Sequence, residues 1–419
     1  MMRQSQLVTA VAVVVVLEFA FMPHSVSAGR HEKKEVEEVE IANLNLLHGV
    51  DCDPAFDPDF PDVDEGDQCR LADRVELLFE HLVDIGCPDI VTLQEIVNRD
   101  FVPRRLPDGT VEMVGPLDSS LTLIEKQVQL QAQACGFQYH LLYLPVPVTV
   151  FEGTDEELIL SRYPILKAES RLLHSALFPP DIEPLQFFAR HVLFARIDHP
   201  IGPVDVFTTH LSSDADFGDN DCNSTVDFGD GVVIFVPCPE ECKGLPTVRA
   251  CQAQQLALFV EERHDVQTPA YVSGDMNADP NSDEDAIFVE RGWIDTYLAA
   301  GNSECDPMTG LGCTSGRDEV RGELEDPALN VHQRIDYVFV VPGDSDLNCC
   351  LVQTQMRHSG LFAAEPNPFV DECGPAPLPI CWASDHSGNF GNIRCPKNWM
   401  TRMIHLDLRT ANAGDVHAH

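Results

Sequence analysis

The sequence predicts an α/β fold built on mixed β-sheets. Apolar stretches of strand length outnumber those with helical spacing and often stand side by side, which argues against strict βαβ alternation. With 44% hydrophobic residues in 419, the chain can also bury a substantial core. Neither an internal repeat nor a clean linker divides it, so one large domain with loop insertions is the simplest organisation.

In chain order, Glu35 to Leu47 reads as a strand, since Val36, Val39, Ile41, Leu44 and Leu46 approach alternation at its end. Arg70 to Ile85 reads as a helix: Leu71, Val75, Leu78, Phe79 and Leu82 recur at helical spacing, and Gly86 with Pro88 stops it. Asp89 to Gln94 is a short buried strand, and Ser120 to Cys135 a second helix ended by Gly136. Strands are then expected at Tyr139 to Leu144, Leu158 to Leu160, Phe187 to Ile197 and Val204 to Thr209. A third helix covers Thr247 to His264, with Val248, Cys251, Leu256, Phe259 and Val260 apolar. Strands at Ala270 to Ser273, Ile335 to Val341 and Met403 to Leu408 complete the domain, with insertions at Asp51 to Gln68, Ser212 to Pro246, Asn302 to Asn330 and Pro342 to Ala383.

The first 28 residues read as a secretory signal peptide: Arg3, an apolar run from Leu7 to Met22, and Val26-Ser27-Ala28 as small cleavage residues. The expected location is therefore secreted or extracytoplasmic, with a domain over 29–408 and a tail over 409–419. The 15 cysteines then imply disulfides that hold the insertions, with local staples among Cys222, Cys238, Cys242 and Cys251 and among Cys373, Cys381 and Cys395. Zinc at Cys238-Pro-Glu-Glu-Cys242 is the competing reading, but no second pair has zinc spacing. A formal charge of −41 repels a polyanion, so no stable nucleic-acid partner is expected.

Chemistry concentrates where strands end. Gly274-Asp275-Met276-Asn277 follows the strand Ala270 to Ser273, and residues two apart on extended chain share a face, so Asp275 and Asn277 can address one point. The first strand delivers Asn43 and Asn45, the second Gln94 and Glu95, and hard oxygen donors of this kind suit Mg²⁺ or Mn²⁺. Thr208-Thr209-His210 ends another strand, Ile335-Asp336 opens the next, and Ser384-Asp385-His386 follows downstream. Acids and an amide for a cation, two histidines and carboxylates to fix their tautomers match in-line attack of water on a phosphoester.

In this order the motifs resemble the endonuclease/exonuclease/phosphatase superfamily, which includes pancreatic-type deoxyribonucleases, apurinic endonucleases, inositol polyphosphate 5-phosphatases and secreted sphingomyelinases. The resemblance runs from Asn45 to His386, and Leu158 to Ile165 is similar to the family's central strand and turn. It implies a four-layer sandwich of two packed mixed β-sheets flanked by helices, here with disulfide-pinned loop insertions. It implies Asn45, Glu95 and Asp385 as metal ligands, His386 as general base oriented by Asp336, and Asp275 and Asn277 as positioning groups. It places His210 on the leaving-group side and Arg190, with Asn277, as phosphate contacts. The implied cofactor is Mg²⁺ or Mn²⁺, and the implied partner a phosphoester: a lipid headgroup, nucleotide or nucleic acid.

Leu47 stands where apurinic endonucleases carry a second acid, and Gly153-Thr154 where nucleases often carry a tyrosine, which leaves Asp155 or Glu156 to partner His210. A secreted, monomeric, metal-dependent phosphoesterase is the leading expectation. A sphingomyelinase-like phospholipase and an extracellular nuclease are its narrower forms, and a non-catalytic binding protein on the same scaffold is the alternative. Leu361, Phe362, Phe369 and Trp382, on the loop before Ser384, either touch a membrane peripherally or pack the loop's own core. Additional Ca²⁺ is conceivable at Asp57, Asp59, Asp62, Asp64 and Asp67 or at Asp214, Asp216, Asp219 and Asp221, although a solvated acidic loop is the simpler reading. Asn223-Ser224-Thr225 is a glycosylation sequon in a eukaryotic host.

Overall fold

Along each central strand the residues that turn inward change from apolar to polar toward one end, and this gradient organises the molecule. The computed structural model describes residues 38–48, 69–98, 102–105, 111–114, 119–145, 156–174, 190–213, 218–219, 221–222, 225–227, 233–235, 238–266, 268–317, 324–342 and 358–394. All belong to the unit Glu37–His419. The expected signal peptide over residues 1–28, the insertion at Asp51 to Gln68, the strand expected at Met403 to Leu408 and the expected tail over 409–419 lie outside the described residues.

The chain runs β1 (Glu38–Asn45), α1 (Leu71–Asp84), β2 (Ile90–Ile96), β3 (Val102–Arg105), β4 (Val111–Val114), α2 (Ser120–Cys135), β5 (His140–Tyr143), β6 (Glu156–Ser161), β7 (Ile165–Leu172), β8 (His191–His199) and β9 (Gly202–His210). It continues with β10 (Thr225–Asp227), β11 (Val233–Phe235), α3 (Val248–Arg263), β12 (Ala270–Asp275), α4 (Asp283–Glu290), β13 (Ile294–Asp295), α5 (Thr296–Ala299), β14 (Asp336–Val341), β15 (His358–Phe362) and β16 (Gly388–Arg394).

Two six-stranded sheets result, ordered β15-β16-β1-β2-β6-β5 and β13-β14-β12-β9-β8-β7. Each contains one parallel pair, β1 with β2 and β9 with β12, among antiparallel neighbours. Val39, Ile41, Ile90, Ile159, Leu193, Val206, Tyr271 and Val338 fill the space between the sheets. Leu44, Leu93 and Leu158 pack outward with Val75, Leu78 and Ile124 of α1 and α2. Phe194, Phe207, Val272 and Phe339 do the same with Leu256, Phe259 and Phe288 of α3 and α4. The fold is therefore the four-layer α/β sandwich, with the central strands apolar on both faces at mid-length. Phe207 stacks on Phe194 at 4.8 Å and meets Phe259 edge-on at 5.9 Å. Burying such a side chain contributes about 1.5–3 kcal/mol.

Local signals set the helices. Ser119 accepts the Thr122 N–H at the start of α2, and Gly136 closes it in the left-handed region at φ 74°. Thr247 caps α3 in the same way by accepting the Ala250 N–H. Disulfides Cys87–Cys135, Cys222–Cys238, Cys242–Cys251, Cys305–Cys313 and Cys373–Cys381 pin loops and helix ends. Cys238 and Cys242 are thus consumed in separate bonds, which answers the zinc alternative.

Candidate active site

The inward positions of the central strands turn polar together. Asn43 Oδ1 accepts from Thr92 Oγ1 (2.8 Å) and Gln94 Nε2 (2.9 Å), and Gln94 Nε2 also donates to Thr208 Oγ1 at 2.9 Å. Thr92 and Ser273 hydroxyls meet across the sheets at 2.8 Å. This floor of neutral groups ties the sheets together, and the next inward residues, Asn45, His210 and Asp275, stand one step above it.

Glu95 reaches the same place by breaking the alternation. Strand parity turns Gln94 inward and its neighbour away, but the β2–β6 register shifts between Leu93 and Ile96, and Glu95 adopts φ 60°. A non-glycine residue held there stores about 1–3 kcal/mol of strain, a pattern concentrated at functional sites. Its carboxylate accepts from Asn45 Nδ2 at 2.7 Å and from the His48 N–H at 2.8 Å. The turn that follows β1 is held by Arg74, fully buried, which donates to Leu46 O at 2.5 Å and Leu47 O at 3.1 Å.

Asp275, Asp336, Asp385 and His386 form the centre. His386 Nδ1 lies 2.8 Å from Asp336 Oδ2, while its Nε2 faces Asp385 Oδ2 at 3.6 Å and Asp275 Oδ2 at 3.7 Å. Thr314 Oγ1 accepts the Asp336 N–H at 3.2 Å, and Ser315 Oγ lies 3.4 Å from His386 Nε2. Ser384 Oγ donates to Asn45 O at 2.6 Å, joining the terminal motif to the first strand. Burial disfavours the imidazolium, yet Asp336, Asp385 and Asp275 outweigh it and hold the His386 pKa well above its ordinary value. Burial, then the charge of Asp336, raises Asp275 against the pull of His210 and His386. Burial also raises Asp385, with His386 opposing and Glu95 reinforcing.

These shifts share one sign. A raised pKa means the folded site prefers its protons, so the stability contributed by His386, Asp275 and Asp385 is present at low pH and is lost as pH rises through the raised values. In the chelator-treated protein the contribution of this site to stability is therefore expected to shrink as pH rises above about 4, the ordinary carboxylate value. Added Mg²⁺ should raise the melting temperature more at high pH than at low. Differential scanning fluorimetry across pH checks this, and a metal increment that shrinks with rising pH would contradict it.

His210 is held on two sides. Arg190, 2% exposed, places NH1 2.7 Å from His210 Nδ1, and Glu157 Oε1 accepts the His210 backbone N–H at 3.0 Å. A guanidinium only donates, so this contact calls for Nδ1 to accept, while Nε2 faces Asp275 Oδ2 at 3.5 Å and the Asn277 amide. Asn277, at φ 46°, donates its backbone N–H to Asp275 Oδ1 at 2.8 Å and its amide to Leu211 O at 2.8 Å. The same amide nitrogen lies 2.9 Å from His210 Nε2. Glu157 also pairs with His191, beside Glu156 at 3.6 Å.

The donor set fits a hard divalent cation. Asp275 and Asp385 are buried, face one imidazole, and are pushed toward protonation by burial and, after it, by the charge of neighbouring carboxylates, which a cation would relieve. The Asn45 amide nitrogen already bridges Glu95 Oε1 and Asp275 Oδ2, at 2.7 and 3.1 Å. As a ligand Asn45 would present its oxygen, which here accepts the Leu47 N–H at 3.0 Å. Asp275, Asp336 and His386 also bring ligand atoms within 4.8 Å of one another. Their close contact, however, is the Asp336–His386 hydrogen bond, the arrangement of an oriented base.

All the candidate residues, Asn45, Glu95, Arg190, His210, Asp275, Asn277, Asp336, Asp385 and His386, thus meet at one end of the sandwich. Arg190 differs in what it touches, since it stands against His210. Of the residues expected to partner His210, Asp155 lies outside the described residues; Glu157, which strand register turns inward, accepts the His210 backbone N–H. Phe362 and Trp382, at 4% and 3% exposure, belong to the core, the packing alternative for these two; Phe369 packs its ring edge-on against His81 at 5.0 Å. Asp57 to Asp67, Asp214, Asp216 and Asn223 lie outside the described residues, and Asp219 pairs with Arg249. No helix among the described residues is long and apolar enough to cross a membrane.

A model of the Endonuclease/Exonuclease/phosphatase family matches residues 43–386. Among solved structures, an endonuclease/exonuclease/phosphatase family protein from Bacteroides thetaiotaomicron is 14% identical over 86% of this chain and 98% of its own, with TM-score 0.48. A mannosyl-6-phosphatase from the same species is 14% identical over 85% of this chain and 99% of its own, with TM-score 0.48. D. rerio TDP2, complexed with single strand DNA product, is 16% identical over 85% and 99%, with TM-score 0.45. No curated protein matches the sequence.

Proposed function

Since the chain belongs to the endonuclease/exonuclease/phosphatase family, we propose that it is a divalent-metal-dependent phosphoesterase in which His386 takes a proton from the attacking water. The observation that carries this is the His386–Asp336 pair at 2.8 Å, with the other ring nitrogen turned to Asp275 and Asp385. Asp336 fixes the ring with its proton on Nδ1, leaving Nε2 as the acceptor. Glu95, Asp385 and Asn45 would hold Mg²⁺ or Mn²⁺. When bound, the cation polarises the phosphoryl group and offsets the charge that develops on it.

His210, with Arg190 behind it, turns Nε2 to the Asn277 amide, and in the tautomer protonated on Nε2 it offers an N–H donor to a phosphoryl or leaving oxygen. Asp275 aligns both histidines. The charge of −41 favours small or lipid-linked phosphoesters over long nucleic acid. Export with removal of Met1 to Ala28 belongs to the same reading, and N-terminal sequencing of the mature protein checks it.

The direct test is hydrolysis of bis-p-nitrophenyl phosphate, sphingomyelin and DNA with Mg²⁺, Mn²⁺ or EDTA. Turnover of at least one substrate is expected, abolished by EDTA and restored by Mg²⁺ or Mn²⁺. Undiminished hydrolysis in EDTA, or none of any substrate with metal, would overturn the reading.

A further inference from the structure

We propose that Arg317 is a positioning residue for His386, a buried guanidinium clamp that fixes the backbone on both sides of Asp385 and so aims the imidazole. Arg317 is 3% exposed, and its NH1 donates to His386 O at 2.9 Å and Ser384 O at 3.2 Å. Its NH2 donates to Ser387 Oγ at 2.9 Å and Ala363 O at 3.4 Å. The guanidinium lies 3.7 Å from the Trp382 ring centroid, and Trp382 Nε1 donates in turn to Asp326 O at 2.9 Å.

This arrangement is unusual for a buried arginine. Desolvating a charge is costly unless an acid pairs with it, and the hydrogen-bonded partners of Arg317 are carbonyls and a hydroxyl. They all belong to a stretch that precedes β16 and lies outside any helix or strand, where carbonyls must otherwise find donors. The segment is held from two other sides as well: Ser387 N–H donates to Thr314 O at 2.6 Å, and Ser384 Oγ to Asn45 O at 2.6 Å. Within the segment Ser384 Oγ accepts the His386 N–H at 3.2 Å, and Arg317 spans Asp385 from outside it, because NH1 reaches the carbonyls of both Ser384 and His386. Displacing a reacting group by about 1 Å costs on the order of a hundredfold in rate, so this span is where geometry matters most.

A purely architectural arginine would yield a different signature. Arg317→Lys keeps the charge and the apolar stem but loses the planar fork: one ammonium cannot stand both where NH1 serves Ser384 O and His386 O and where NH2 serves Ser387 Oγ and Ala363 O. In the metal-loaded full chain, kcat for bis-p-nitrophenyl phosphate is expected to fall about thirtyfold to a hundredfold with KM changed less than about twofold. The downfield proton resonance of the His386–Asp336 hydrogen bond, assigned by its loss in His386→Gln, is expected to shift or broaden. Trp382→Leu, which removes the platform and leaves the donors, should shift the resonance in the same direction with a smaller loss of kcat, and it serves if Arg317→Lys does not fold.

An unchanged resonance in the folded variant, or kcat within about threefold of wild type, would overturn the proposal. So would a kcat loss that only tracks the folded fraction. The inference rests on His386 as the proton acceptor, but the two fail separately. If the wild-type chain hydrolyses no phosphoester, the functional reading falls, and the resonance in Arg317→Lys alone decides the clamp.

Discussion

Replacing His386 by alanine lowers kcat by about a hundredfold or more, the usual contribution of a general base. That is about 2.7 kcal/mol of barrier, at 1.36 kcal/mol per tenfold. Because the ring is buried at 5% exposure, stability changes as well. Alanine strips Asp336 Oδ2 of its partner while Oδ1 already has none, and a buried acceptor left unpaired costs about 1–3 kcal/mol. Rates must therefore be read on protein shown to be folded by circular dichroism. Asp336→Asn separates the effects further: it preserves shape but removes the charge that orients and favours the protonated ring. If Asp336 acts only through His386, the double variant is no slower than His386→Ala alone. Additive losses would show a separate role for Asp336, and full metal-dependent activity in His386→Ala would remove the base assignment.

What could be read beforehand followed the period of the strand. Asn45, His210 and Asp275 lie at alternate positions after apolar inward residues, so their shared face was visible in one dimension. Glu95 was visible as an acid at a strand end, but its direction was not, because a local bulge reverses the parity. The same dependence on register hid Glu157 behind Glu156. Strand β16 escaped notice because Gly388, Gly391, Asn389 and Asn392 mask its alternation, although it pairs with β1 along most of its length. Arg74, on α1, and Arg317 carry no signal in one dimension, and chain-distant carbonyls explain their burial. Phe362 and Trp382 were ambiguous for the converse reason: an apolar residue in a long loop faces either a membrane or a core, and composition does not choose.

Gly274→Ala is expected to damage the fold and the site together. Gly274 sits at φ 150° in β12, paired with Thr209 of β9, and a Cβ built there falls 1.9 Å from the Thr209 carbonyl oxygen. No side chain can move aside, since the obstacle is backbone, so β9 and β12 must separate. Gly136→Ala isolates the backbone contribution: it too has positive φ, 74°, but nothing within 4 Å of the added carbon. It should cost about 1 kcal/mol and leave kcat unchanged. Gly274→Ala should cost about 3 kcal/mol or more, at the upper end for point substitutions, by urea unfolding. The next pair along the same ladder is Asp275 with His210, whose side chains approach to 3.5 Å, so the separation falls where the candidate acid and imidazole must stay aligned. A shift of about 1 Å there lowers kcat on the order of a hundredfold even in the molecules that remain folded. Were Gly274→Ala as mild as Gly136→Ala in both measurements, the glycine would be serving only its torsion angle, and the close approach of the two strands would not be what sets the alignment of Asp275 with His210.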